Sequence, residues 1–121
     1  MSVYPTGLTN YFENSVDAGA TPTKLLDGPL ALKSFACSVR TTSSNTGGFV
    51  LKLFDGSEDE IFRIFDAANP SGLVWGSFSN RFSFSLPLNG IRVTDSLQIS
   101  IEANGTMTNL TAEGISVIYQ R

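Results

Sequence analysis

The groups in this chain that could carry chemistry are few. Of its 121 residues none is histidine and one, Cys37, is cysteine. Without histidine no Ser-His-Asp or Cys-His nucleophilic site can be built. The commonest zinc and copper ligand is missing too, and one thiol cannot replace it. No glycine-rich loop follows a strand and opens a helix, so a phosphate cradle is excluded. Carboxylates remain, and Asp55, Glu58, Asp59 and Glu60 are the densest group. If a strand begins early there, Glu58 and Glu60 share a face about 6–7 Å apart. That spacing is compatible with a glycosidase pair, and the same oxygens could hold Ca²⁺. The competing reading is an acidic turn that keeps the neighbouring apolar run Ile61–Phe65 from aggregating. A catalytic acid needs partial desolvation, which a turn does not supply. The acidic turn is therefore preferred, and no catalytic, cofactor-binding or metal-binding residue is expected. Trp75, the one tryptophan, could stack on a sugar. A core or subunit-interface position fits its burial habits better.

The elements that would position such groups are strands. Phe82, Phe84, Leu86 and Leu88 alternate with Ser83, Ser85 and Pro87; Leu97, Ile99 and Ile101 alternate with Gln98, Ser100 and Glu102; Ile115, Val117 and Tyr119 alternate likewise. A period of two places every second side chain on one face of a sheet. Phe35, Cys37 and Val39 mark one face of an earlier strand, and Phe49, Leu51 and Leu53 mark one face of the next. Ile61–Phe65 is dense enough in apolar residues to be buried on both faces. Asn89-Gly90 and Asn104-Gly105 carry the signal of tight hairpins, because asparagine and glycine accept the positive φ such turns need. Asp55-Gly56 and Asn69-Pro70-Ser71-Gly72 are further turn signals. About eight strands at this spacing, with no sustained helical period, give an all-β antiparallel β-sandwich. A jelly roll is the favoured topology and an immunoglobulin-like sandwich the second. Residues 1–31 differ: Gly, Pro, Thr, Asn and Asp are frequent and no period is sustained. They are expected to form an extended N-terminal arm ahead of a sandwich domain over 32–121. The arm would lie on the core, with a short strand at Thr23–Leu26, or on a neighbouring subunit.

Composition limits the partners. Hydrophobic residues are 41% of the chain, with 9 Phe, enough for one core without covalent staples. Charged residues are 16%, below the roughly 25% usual in soluble domains. The polar faces are made of Ser, Thr and Asn, which suits a surface covered by partners and equally a surface kept soluble by hydroxyls. The 8 Lys and Arg are scattered singly and the net charge is −3. Neither nucleic acid nor an anionic membrane is an expected partner. A lone cysteine in an apolar alternation reads as a buried small hydrophobe, and the absence of a disulfide framework fits a reducing cytoplasm. The first residues carry no signal-peptide pattern.

In order along the chain, Leu30–Val39, Leu51-Lys52-Leu53-Phe54-Asp55-Gly56, Pro87-Leu88-Asn89-Gly90-Ile91-Arg92-Val93 and the terminal Gly114-Ile115-Ser116-Val117-Ile118-Tyr119-Gln120 resemble the small β-sandwich structural proteins of tailed bacteriophages. Capsid decoration (cement) proteins are the nearest in kind. The resemblance covers about residues 30–121. It implies a non-enzymatic virion protein, made in the host cytoplasm and placed on the capsid surface as a homo-trimer. There it would bind and stabilise the major capsid protein shell, with no small-molecule ligand. Contact residues would be Tyr4, Leu8, Tyr11 and Phe12, with Trp75 a further candidate. The alternatives are a carbohydrate-binding or host-recognition module and a phage tail or baseplate component.

Overall fold

A computed structural model of the chain describes residues 7–40, 48–64, 81–104 and 110–121. Eight strands lie among them. In chain order they are β1 (Leu8–Asp17), β2 (Gly19–Asp27), β3 (Leu30–Arg40), β4 (Gly48–Asp55), β5 (Asp59–Ile64), β6 (Arg81–Val93), β7 (Ser96–Asn104) and β8 (Thr111–Gln120). They form two four-stranded antiparallel sheets, β1-β8-β3-β6 and β2-β7-β4-β5. The first strand pairs with the last, the second with the seventh, the third with the sixth and the fourth with the fifth. Every connection except β4–β5 passes from one sheet to the other. This is one long hairpin wrapped around a common core, the connectivity of a jelly roll.

The core lies between the sheets and follows the alternation. Phe49, Leu51 and Leu53 of β4, Leu97, Ile99 and Ile101 of β7, and Ile115 and Val117 of β8 are fully buried. Three neighbouring strands change parity midway and still keep their apolar residues inside. In β3, Lys33 is an extra residue against β8, so Leu30 and Leu32 as well as Phe35, Cys37 and Val39 reach the core. In β8 the same happens at Gly114, φ +56°, between Ala112 and Ile115. In β6, Leu88–Gly90 is bulged opposite Lys33, with Gly90 at φ +68°. A bulge of this kind resets which face a strand presents and bends the sheet.

Several sequence expectations are changed here. Asn89-Gly90 is a bulge inside β6, not a hairpin turn: the pairing with β3 continues on both sides of it. Residues 8–27, assigned from sequence to an arm, form β1 and β2, one at the edge of each sheet. Each is polar because an edge strand buries little, chiefly Val16 in β1 and Leu25 in β2. The strand foreseen at Thr23–Leu26 is part of β2, and β3 begins at Leu30. Ile61 and Phe62 are only half-buried and Arg63 is exposed, because β5 is the other edge of its sheet.

Candidate interaction face

Of the five contact residues picked from sequence, Tyr4 and Trp75 lie outside the described residues. Leu8, Tyr11 and Phe12 are all on β1, but they do not act alike. Tyr11 packs against the core, and its hydroxyl donates to Glu13 Oε1 at 2.7 Å. That hydrogen bond, with burial and the Glu13 charge, raises the Tyr11 pKa. Leu8 is half-buried. Phe12 is 61% exposed, a large apolar ring in water.

Strand pairing shows what surrounds Phe12. Across β1, β8, β3 and β6 runs the row Phe12, Ser116, Ala36, Ser85. The next row is Asn10, Ile118, Ser34, Pro87. These residues alternate with the buried Phe35, Cys37 and Val117, so they form the outer face of the sheet. The two rows contain no charged side chain, and apart from Phe12 and Ile118 the side chains are short or polar. Their polar groups are partly engaged with one another: Ser116 Oγ donates to Asn10 Oδ1 at 3.1 Å. In the following row Ser38 and Ser83 share a 2.6 Å hydroxyl contact. Charge begins in that same row, where Glu113 stands opposite Ser38 and pairs with Arg40 at 2.8 Å, and on the other side at the exposed Arg92, opposite Ala31. The other sheet has three such ion pairs of its strands among the described residues: Lys52–Glu102 at 3.4 Å, Glu60–Arg63 at 2.7 Å and Lys24–Asp27 at 2.8 Å.

The acidic turn has a structural occupation. Asp55, at the end of β4, accepts hydrogen bonds from Thr94 N–H (2.9 Å), Thr94 Oγ1 (2.8 Å) and Asp95 N–H (2.8 Å). The Thr94 and Asp95 N–H groups are the main reason its carboxyl titrates below the usual range; the Thr94 hydroxyl and Ser96 N–H add to this. Gly56 N–H donates to the Ser96 carbonyl at 2.8 Å. The Asp55-Gly56 corner therefore ties the β4 end to the β6–β7 crossover. Glu58 is in the turn and β5 starts at Asp59, so Glu58 and Glu60 are not strand neighbours on one face. Both Glu60 oxygens accept from Arg63, at 2.7 Å each, which lowers the Glu60 pKa. Among the described residues no three of His, Cys, Asp or Glu converge as a metal site would require. Cys37 is 4% exposed, and burial pushes its thiol pKa up to about 12.

Sequence alternation named the outward residues of β3, β6 and β8 only one strand at a time. It did not place Ser116 between Phe12 and Ala36, because strand order is a long-range property.

No protein-family model and no curated protein matches the chain. One solved structure is similar over nearly its whole length. It comes from Bacillus endospore appendages, described as a novel family of disulfide-linked pili. The match covers 99% of this chain and 96% of that one, at 17% identity and a TM-score of 0.43. A likeness at that level carries no argument about function.

Proposed function

We propose that this chain is a non-enzymatic structural protein of a tailed-phage virion, a decoration protein that binds the major capsid protein shell through the outer face of β1-β8-β3-β6. The observation that carries the reading is the pair of charge-free rows that end in Phe12 and Asn10. Interface centres are depleted of charge and enriched in aromatic residues, because desolvating a charge costs more than desolvating a hydroxyl or a ring. Two rows across four strands, at about 4.8 Å per strand and about 7 Å per row, give a face of roughly 270 Å². That is below the roughly 800 Å² per partner of a standard interface. One copy alone would bind weakly, and a repeating shell adds strength through many copies. Binding only the mature shell would stabilise it by linkage. Synthesis in the host cytoplasm and a place on the capsid surface belong to the same proposal.

A second reading has one observation in its favour: Phe12 stands beside Asn10 and Ser116, the aromatic-plus-polar combination of a sugar site. Against it, Asn10 Oδ1 and Ser116 Oγ already bond each other. Co-sedimentation with expanded shells of the virus that carries the gene separates the two. Saturable pelleting supports decoration. A chain that stays in the supernatant and binds a glycan array supports the sugar reading.

A further inference from the structure

The four sheet edges are not equally protected against pairing with another chain. An exposed edge is normally blunted by proline, lysine, bulges or shortness. The β2 edge carries Pro22 and Lys24 and breaks register twice. The β5 edge is six residues long and strongly charged. The β6 edge carries Pro87 and the bulge at Gly90. The β1 edge has none of these. Its 10 residues contain neither proline nor lysine and keep one register with β8 from Leu8 to Asp17, with only the Asn14–Gly114 pair missing from the ladder. Among the described residues the sheet order ends at β1, so every second residue there presents an N–H and C=O sideways to which no described strand pairs. Its mid-strand charge, Glu13, is taken up by the Tyr11 hydroxyl.

We infer that β1 is a strand-addition edge whose occupant is β1 of a second copy, paired antiparallel about a two-fold axis with Phe12 opposite Phe12. In this register the two exposed rings form a cross-strand aromatic pair. Glu13 faces Tyr11 of the second copy, Asn10 faces Asn14, and no like charges oppose one another. Shifting the axis to Glu13 would set two carboxylates face to face, which is unfavourable. The two β1-β8-β3-β6 sheets then join into one eight-stranded sheet, and the Phe12 row becomes continuous across it. The inference rests on the edge and its register, independently of what the outer face binds. A two-fold pairing makes a dimer, where the phage resemblance implies a trimer.

Sedimentation equilibrium of the full chain, over a wide concentration range, reads the mass directly. The expected result is twice the 13.0 kDa chain mass. Phe12→Lys removes the aromatic pair and opposes two like charges, so the dimer dissociation constant should rise about tenfold or more. Because Phe12 is exposed, circular dichroism should show this variant folded. Register is read by cysteine cross-linking. Opposed Cα atoms in an antiparallel pair are about 4.5–5.5 Å apart, within the roughly 4.4–6.8 Å that a disulfide spans. Phe12→Cys should cross-link to itself under mild oxidation. Asn10→Cys should cross-link only when mixed with Asn14→Cys. The buried Cys37 stays silent. A monomer at all concentrations, a trimer, or a dimer whose Phe12→Cys variant does not cross-link would overturn the inference.

Discussion

Replacing Asp55 with alanine should loosen the corner that holds β4 to the β6–β7 crossover. The side chain accepts three hydrogen bonds, from Thr94 N–H, Thr94 Oγ1 and Asp95 N–H, all at 2.8–2.9 Å. A hydrogen bond to a charged group contributes about 1.5–3 kcal/mol where water is excluded. This corner is open to solvent, so water takes over the freed donors and the charge is screened. The net loss should be about 1–2 kcal/mol, or a Tm lower by about 4–8 °C for a domain of this size. Asp55→Asn keeps one acceptor oxygen and should fall between wild type and alanine. The pH dependence follows from the direction of the shift. The folded-state pKa of Asp55 is lowered, so the stabilisation is fully present above the unfolded value of about 3.9. It is lost as pH falls through the folded value. Thermal melts of wild type and Asp55→Ala should differ most at neutral pH and converge in acid. Equal Tm values at pH 7, or a gap that does not narrow in acid, would refute the clamp.

Ser100 is 2% exposed and its hydroxyl has no partner among the described residues; Ser100→Ala should raise stability by about 1 kcal/mol, read as a higher denaturant midpoint. Phe49 is fully buried between the sheets, and Phe49→Ala should cost about 3–5 kcal/mol in chemical denaturation. Cys37, buried with a thiol pKa near 12, should react with a thiol reagent only at the rate of unfolding, so labelling of the native chain should accelerate with denaturant. Gly90 is at φ +68°, and Gly90→Val should destabilise by about 1–2 kcal/mol in the same assay through backbone strain.

The core was legible in the sequence wherever both neighbours of a strand are also strands. In β4, β7 and β8 the apolar period stands out because the inner side chains are fully buried. Of the edge strands, β1 was not legible, and β2 only as the short stretch Thr23–Leu26. In β1 the sequence Leu-Thr-Asn-Tyr-Phe-Glu-Asn-Ser-Val-Asp buries Val16 and partly Tyr11, too little to sustain a period, and the stretch resembled a loop. Asn89-Gly90 shows a second limit. The dipeptide states only that the backbone can turn to positive φ, while the pairing of β6 with Leu32 and Ser34 on either side decides that it bulges instead of reversing. The aromatic Phe12 was visible as an oddity in a polar stretch. The face it belongs to was not, because its members come from four strands that meet only through the sheet order β1-β8-β3-β6.

Shell binding through the two charge-free rows requires that they lose their water in the complex. Ala36 lies in the middle of the Phe12 row, between Ser116 and Ser85, and an arginine there would have to be desolvated in any complex. Co-sedimentation of wild type and Ala36→Arg with expanded capsid shells, after confirming that both melt alike, tests this most directly. Wild type should pellet saturably and Ala36→Arg should stay in the supernatant. Equal occupancy of the two proteins on the shell would contradict binding through these rows.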